Sequence, residues 1–188
     1  MAISAYVWFQ GYDGKYLESE SQVDFSSDPQ RSALHYPANH NIFQIENYAL
    51  DVVQTLNIGS QSSGAGAGKV TFNPFSITRK SDKSSPVLFQ MACSGTAFQT
   101  VALVLQRSAG GPVAGAGFMK FTFKLVAVKS ISWNYDSEEA RETVTFEYGG
   151  LVVEYFEQKA NGSFAGDVVG GWNRVTNIAD LSALTIVK

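Results

Sequence analysis

Apolar and polar residues alternate along most of this chain, which is the pattern of half-buried β-strands. The alternation is clearest in two long segments, Met119 to Trp133 and Thr143 to Gln158. The other segments that favour strands are Ile3 to Gln10, Ile42 to Ile58, Val70 to Arg79 and Phe98 to Arg107. Turn residues separate them, as in Gly11-Tyr12-Asp13-Gly14. The pattern predicts a mainly β protein whose antiparallel sheet forms a barrel or a sandwich.

The strand predicted over residues 70–79 changes face part-way along. Val70 and Phe72 fall on one face of an extended chain. Phe75 and Ile77 fall on the opposite face, because the alternation shifts by one residue at Pro74. A one-residue shift beside a proline predicts a β-bulge, and proline favours an edge strand.

One α-helix is predicted, at about residues 85-94. Ser85 suits the N-cap, Pro86 suits the first helical position, and Gly95 suits the position just past the end. Its apolar residues fall on one face at helical spacing: Val87, Leu88, Met91 and Ala92. A single amphipathic helix cannot form a core alone, so we expect it to cover one face or one open end of the sheet.

Three segments are predicted to lie outside this regular structure. Residues 17–40 are polar and contain two prolines, which predicts a long loop or insertion. Residues 59–69 are rich in glycine and serine and favour a flexible loop. Residues 178–188 form an apolar tail. We expect residues 1–188 to form a single domain, since the length suits one.

Composition narrows the function classes. Hydrophobic residues make up 45% of the 188, whereas charged residues make up only 16%, below the roughly 25% of an average soluble protein. The resulting weakly polar surface favours burial in subunit contacts. The net charge is −3 and no basic stripe is present, so nucleic acid is not an expected partner.

The compartment is also constrained. No apolar run approaches the ~20 residues of a membrane span, and the first residues lack the basic and apolar regions of a signal peptide. We therefore expect folding in the cytoplasm, no membrane partner, and any export by a route other than general secretion. The single cysteine, Cys93, excludes an internal disulfide and is predicted to be a small buried residue of the helix.

Gly64-Ala65-Gly66-Ala67-Gly68-Lys69 resembles a phosphate-binding loop in composition only. The full motif needs glycine where the chain has Ser63, and Ser or Thr where it has Val70. It must also open a helix, whose N-terminal amides bind the phosphate, whereas a strand is predicted here. A flexible loop is the favoured interpretation.

Two other groups of polar residues could carry chemistry. His35 and His40 lie in the long loop downstream of Asp28, where solvated histidines are the commoner outcome. An acidic cluster lies between the last two long strands and comprises Asp136, Glu138, Glu139 and Glu142 together with Arg141. Paired carboxylates can hydrolyse glycosides, but a charged hairpin tip gives the same pattern. No coherent catalytic constellation is present, so neither enzymatic activity nor a cofactor or metal is predicted.

The densest motifs lie between residues 66 and 95 and resemble a known family. They are Gly66-Ala67-Gly68-Lys69-Val70-Thr71-Phe72, the segment Phe75 to Pro86, and Met91-Ala92-Cys93-Ser94-Gly95. Glu142 to Tyr155 and Gly171-Trp172-Asn173 match in kind further along. In order and spacing these motifs resemble the Hcp (haemolysin-coregulated protein) family of type VI secretion tube proteins. The chain departs from the family pattern at residues 17–40, 110–117 and 178–188.

The resemblance implies an Hcp-like antiparallel β-barrel with one flanking helix. It implies a homohexameric ring, and rings that stack into a hollow inner tube with sheath, spike and baseplate proteins as partners. The tube is secreted without a cleaved signal peptide and can hold effector cargo. In the glycine-rich loop, Gly64, Gly66, Gly68 and Lys69 are the candidate ring-stacking residues. Polar strand faces are candidates for the lumen lining, with either Thr122 and Lys124 or Thr143 and Thr145 facing inward.

Two other functions remain open from the sequence. The aromatic residues and the Ser, Thr and Gly content also suit a carbohydrate- or surface-binding β-sandwich, which predicts a monomer or dimer with glycan affinity. A hydrolase that uses the carboxylates between Asp136 and Glu142 predicts turnover that is lost when they are substituted.

Overall fold

The structure is a computed structural model that describes residues 3–55, 70–107, 115–135, 138–158 and 164–179. Its strands are β1 (Ile3–Gln10), β2 (Phe43–Ile45), β3 (Asn47–Ala49), β4 (Val52–Gln54), β5 (Val70–Phe72), β6 (Phe75–Lys80), β7 (Ala97–Arg107), β8 (Ala116–Tyr135), β9 (Ala140–Gln158) and β10 (Phe164–Asn173). Its helices are α1 (Arg31–Leu34), α2 (Ser85–Ser94) and a 3-10 turn at Asn39–Asn41. The predicted glycine-rich loop at 59–69, most of the run 110–117 and most of the tail 178–188 lie outside the described residues.

The main sheet is antiparallel and nearly closes into a barrel. Its strands run in the order β2-β1-β7-β8-β9-β6-β3. The two ends of this order, β2 and β3, are separated in the chain by Glu46 alone. One short segment therefore pairs with β1 and then with β6, which brings the ends of the sheet together. The predicted fold class, an antiparallel β-barrel with one flanking helix at residues 85–94, is confirmed.

The long strands form because their alternating apolar residues line the barrel interior. The fully buried residues there include Val7, Phe9, Phe75, Ile77, Val101, Leu103, Phe123, Val126, Val144 and Phe146. Phe75 stacks on Phe123 at 4.3 Å between ring centroids. Burial of this kind contributes roughly 1.5–3 kcal/mol for each large side chain. The strand predictions at 3–10, 98–107, 119–133 and 143–158 are confirmed, with bounds that differ by a few residues.

Helix α2 packs against the barrel through Leu88, which is fully buried, and through Met91 and Ala92, which are partly buried. Gly95 ends it in the left-handed conformation with φ 70°. The N-cap is Ser84 and not the predicted Ser85, because Asp82 Oδ1 accepts the Ser84 amide and fixes the chain one residue earlier. The predicted apolar face is correct except at Val87, which is exposed.

Two sequence predictions about the strands at 42–58 and 70–79 are wrong in detail. The second predicted strand is divided into β2, β3 and β4, and its last residues lie outside the described chain. The parity change at Pro74 is a break between strands and not a bulge. β5 pairs with β4 in a separate two-stranded ribbon. β6 lies between β9 and β3 in the barrel, so it is not an edge strand.

Residues 17–40 cover the outer face of the barrel near β1 and β7. Phe25 and Leu34 are fully buried there, and they pack with Tyr36 in a second apolar cluster. The remaining buried members of this cluster are Tyr6, Trp8, Ile42, Ala102, Val104 and Phe156. Polar composition predicted only a loop. The buried residues are too irregularly spaced to appear as a helix or strand pattern.

A further expectation is contradicted. Cys93 is exposed on α2 and is not a buried residue, because it lies on the helix face that points away from the barrel. Strand β9 continues through Gly149 and Gly150 and does not turn back there. Gly149 instead allows close approach, since a Cβ at this position would lie 3.1 Å from the Cβ of Leu125, itself at φ 50°.

Candidate assembly surfaces

Strand β10 presents an open sheet edge. It pairs with β9 along one side, and no strand pairs with its other side among the described residues. Val168 is 69% exposed and Val169 is 52% exposed. Successive strand residues point to opposite faces, so both faces of β10 are open to solvent around Val168 and Val169. An exposed edge of this kind is a template for pairing with another chain.

Sequence reasoning did not predict β10 as a strand. Its glycines, Gly166, Gly170 and Gly171, weaken the alternation that marked the other strands. The adjacent pair Val168-Val169 was the available signal, since valine favours extended structure.

The β4–β5 ribbon is the second exposed surface. Val52 and Val53 are both about half exposed. The ribbon is held to the barrel at its base, where the Phe72 ring lies 6.5 Å from the Tyr148 ring. Arg174 lies over both rings and donates a 2.6 Å hydrogen bond to the Tyr148 carbonyl. The candidate stacking residues Gly64, Gly66, Gly68 and Lys69 belong to the loop between β4 and β5 and lie outside the described residues.

A polar stripe runs along the outer face of β7, β8 and β9. Lys120 Nζ lies 3.5 Å from Glu154 Oε2, and Lys124 Nζ donates to Thr100 Oγ1 at 3.0 Å. Burial lowers the pKa of Lys124, the positive charge of Lys120 lowers it further, and the charge of Glu154 acts in the opposite direction. Thr122 lies between the two lysines on the same face. With two amines and one carboxylate, the stripe carries excess positive charge.

Thr143 and Thr145 lie on β9, on the outer face of a different part of the barrel. Thr143 shares a 3.2 Å hydrogen bond with Thr78 of the neighbouring strand. Both threonines are partly buried.

Inside the barrel, a charged network joins three elements. Arg79 is 1% exposed and Glu142 is fully buried, and their Nη2 and Oε1 atoms are 2.6 Å apart. Arg79 Nη1 also lies 3.1 Å from Asp82 Oδ2. Trp133 Nε1 donates to Glu142 Oε2 at 3.0 Å. The hairpin-tip interpretation of the acidic cluster is wrong for Glu142, because this residue belongs to β9 and lies in the core.

The alternation of core-facing and outward-facing positions along the strands already indicated that both charged residues face the core. Arg79 shares the parity of the buried Phe75 and Ile77, and Glu142 shares the parity of the buried Val144. Core-facing charged residues on two strands predict a buried ion pair once the strands are known to be neighbours.

The remaining candidate chemical groups do not converge. His35 and His40 are both exposed, whereas Asp28 is buried and accepts a hydrogen bond from Tyr36. Glu139 pairs with Lys80 and Arg141, and Asp136 lies outside the described residues. The segment Gly64 to Lys69, which resembles a phosphate-binding loop in composition, is followed by strand β5 and not by a helix. Among the described residues, no three His, Cys, Asp or Glu side chains are grouped to hold a metal ion.

Comparison with known proteins places the chain in a family. The family model described as "Type VI secretion system effector, Hcp" matches residues 36–155, more than half of the chain. The chain belongs to the Hcp family. Protein hcp1 of Pseudomonas aeruginosa is 38% identical over 113 residues, which cover 58% of this chain and 68% of that protein.

Solved Hcp structures share the fold. A type six secretion system protein superposes with a TM-score of 0.74 at 24% identity and covers 94% of this chain and 99% of its own. Hcp1 from Salmonella typhimurium superposes with a TM-score of 0.64 at 22% identity and covers 94% of this chain and 98% of its own. The family connects the barrel with type VI secretion. Within the part of the chain that the structure describes, neither helix is long and apolar enough to cross a membrane.

Proposed function

We propose that this Hcp protein is the structural subunit of a type VI secretion inner tube. Six copies form a ring, and rings stack into a hollow cylinder that is ejected and carries small effectors in its lumen. The observation that carries the proposal is the open edge of β10 in a chain of the Hcp family. Among the described residues of one subunit that edge has no strand partner, whereas a neighbouring subunit can cover it.

Ring closure requires two different surfaces of each subunit to meet. Head-to-tail contacts of this kind close into a ring when the rotation between neighbours divides a full turn. β10, with Val168 and Val169, supplies one apolar edge. The β4–β5 ribbon, with Val52 and Val53, supplies a second apolar projection on the same chain. Covering such side chains stabilises association in proportion to the apolar area removed from water.

The polar stripe on β7, β8 and β9 is our choice for the lumen lining. It contains Thr122 and Lys124, and its amines are neutralised in part by Glu154. Lys120 and Thr122 are only 8% and 9% exposed in one subunit, so Lys124, which is partly buried, is the member of the stripe that a water-filled lumen can solvate. Thr143 and Thr145 are the alternative lining, and the Thr143 hydroxyl bonds to Thr78 within the sheet just as the Thr122 hydroxyl donates to Glu154 Oε2.

The loop that carries Gly64, Gly66, Gly68 and Lys69 is proposed to form the contact between stacked rings. Ordering a flexible chain costs roughly 1–2 kcal/mol per residue. Stacking is then weak between isolated rings and favoured by a template such as spike, baseplate and sheath proteins. In this proposal the protein assembles in the cytoplasm, is exported by the type VI system, and catalyses no reaction.

Native mass spectrometry and negative-stain microscopy of the purified protein test this proposal. Six-subunit rings support it. A protein that remains monomeric at high concentration, with no annular particles, contradicts it. A monomer that binds glycans would favour the sandwich-type binding function instead.

A further inference from the structure

The barrel has a seam that is closed along only part of its length. β3 pairs with β6, and Glu46 N donates to Thr78 O at 2.8 Å just before this pairing begins. β2 pairs with β1 alone, and its other edge has no strand partner among the described residues. That edge faces the end of β6 across an open groove. Strand edges left unpaired in this way can accept an additional strand.

The groove has the size and walls of a binding cleft. Its volume is about 710 Å³, within the range of ligand-binding clefts. One wall is β2, the second is the end of β6, and the third is the loop segment 19–23. A peptide backbone laid along the groove would meet the amide and carbonyl groups on the edge of β2 that no strand pairs with among the described residues.

The charge around the groove is negative. Glu20, Glu46 and Asp82 line it. The cations of the same region are already occupied, because Arg79 contacts Asp82 and Glu142, Lys80 contacts Glu139, and Arg141 contacts Glu46 and Glu139. These contacts join four carboxylates to three cations, and Glu20 adds a further carboxylate to the lining, so the groove retains excess negative charge. Glu20 and Glu46 are both exposed, Glu46 already contacts Arg141, and Glu20 accepts the Lys83 amide at 3.1 Å, so an incoming cation would add to or compete with these contacts.

We propose that the groove binds an extended, lysine- or arginine-bearing segment of another protein as an added strand on β2. Main-chain hydrogen bonds to the free edge supply affinity, and the excess carboxylates select cationic side chains. This inference does not depend on ring formation, because the groove lies within one subunit.

A fluorescent peptide of about seven residues that alternates lysine with valine and threonine is the probe. We expect saturable binding by fluorescence polarisation, weakened at least about tenfold when the lysines are replaced by glutamate. Substitution Glu20→Lys should weaken binding by a similar factor, since Glu20 lines the groove and is exposed. Glu157→Lys is the matched control, because Glu157 is exposed on β9 and does not line the groove. Hydrogen exchange should slow at the amides of 43–46 when peptide is added.

Several outcomes would overturn the proposal. One is that the acidic peptide binds as tightly as the lysine peptide. Another is that the groove variant and the control variant lose the same amount of affinity. A third is that hydrogen exchange at residues 43–46 is unchanged when peptide is added. A peptide interrupted by proline should bind poorly, since it cannot complete the strand pairing, and full affinity would also contradict the proposal. If assembly alone protects these amides and excludes the peptide, the occupant is a second copy of this chain and the proposed partner is wrong.

Discussion

Arg79 and Glu142 are direct register partners on β6 and β9, and their side chains form an ion pair inside the barrel with an Nη2 to Oε1 distance of 2.6 Å. The pair connects α2 with the β8–β9 hairpin, because Asp82 precedes the helix and Trp133 lies in the hairpin. A buried pair of this kind is costly to break from one side only, since the remaining charge stays in the core.

Substitution Arg79→Met should destabilise the fold by about 3–5 kcal/mol, because it leaves Glu142 buried without its cation. Urea unfolding at one fixed protein concentration measures this change, since assembly also contributes to apparent stability. The double substitution Arg79→Met with Glu142→Leu should recover part of the loss. Lys129→Met removes an exposed pair with Glu147 and should cost less than about 1 kcal/mol. Equal losses in the two single variants would show that burial of the Arg79 pair has no energetic consequence.

The outer segment 17–40 is predicted to depend on Asp28. Its Oδ2 accepts hydrogen bonds from Tyr36 at 3.1 Å, Gln106 at 3.1 Å and the Gly117 amide at 3.3 Å. Asp28→Ala should cost about 1–3 kcal/mol, because it leaves these buried donors unsatisfied. Hydrogen exchange should accelerate across residues 17–42 more than in the core strands.

Tyr36→Phe is the milder companion variant, since it removes one of the three donors and keeps the ring against Phe25. It should cost about 0.5–1.5 kcal/mol. Exchange that accelerates uniformly over the protein in both variants would indicate that Asp28 does not hold this segment specifically.

Lys124 is predicted to make the free energy of unfolding depend on pH in the alkaline range. Burial and the charge of Lys120 lower its pKa in the folded state, so the unfolded chain binds more protons between the lowered pKa and the usual value of 10.5. The free energy of unfolding should therefore rise with pH across that window. Lys124→Met should remove this contribution, which unfolding measured at a series of alkaline pH values can detect.

The same lysine offers a direct titration test. Lys120→Gln should raise the pKa of Lys124, and Glu154→Gln should lower it, because the two neighbours act in opposite directions. NMR titration of isotope-labelled lysine side chains measures both shifts. Shifts of the same sign in the two variants would contradict the proposed electrostatics of the polar stripe.

The β10 edge is predicted to be needed for ring formation. A variant with Val168→Lys and Val169→Lys should fold but remain monomeric, because lysine on an exposed edge opposes strand pairing and association. Val87→Lys is the control, since Val87 is exposed on α2 and outside the β10 edge. Native mass spectrometry and circular dichroism together separate loss of rings from loss of fold. Intact rings in the double variant would exclude β10 from the interface.

Cys93 is predicted to react in the native protein. It is exposed on α2, so a thiol reagent should label it without denaturant in an isolated subunit. Cys93→Ser should abolish the labelling and leave the fold unchanged. Labelling that requires unfolding would show that the residue is covered, as the sequence pattern first suggested.

The barrel strands were predictable because their apolar residues repeat every two positions, and the helix because proline and glycine mark its ends. The Arg79–Glu142 pair was not predicted. The alternation places each residue on the core-facing side of its own strand, but the sequence of one strand does not show which strand lies beside it. The burial of Phe25 and Leu34 was not predicted. These residues are buried because they pack on β1 and β7, and the sequence around them has no helix or strand periodicity. Cys93 was wrongly placed because Leu88, Met91 and Ala92 already cover the contact face of the helix.

The pairing of β1 with β7 sets the order in which the protein can fold. β1 ends at Gln10, and its partner β7 begins at Ala97. During synthesis at roughly 5–20 residues per second, the partner follows about 5–20 s later. Val7 and Phe9 meanwhile lack the core that buries them in the finished barrel. Long-range pairing of this kind slows folding, so the newly made chain should be most vulnerable to aggregation, and most in need of chaperones, before β7 emerges from the ribosome.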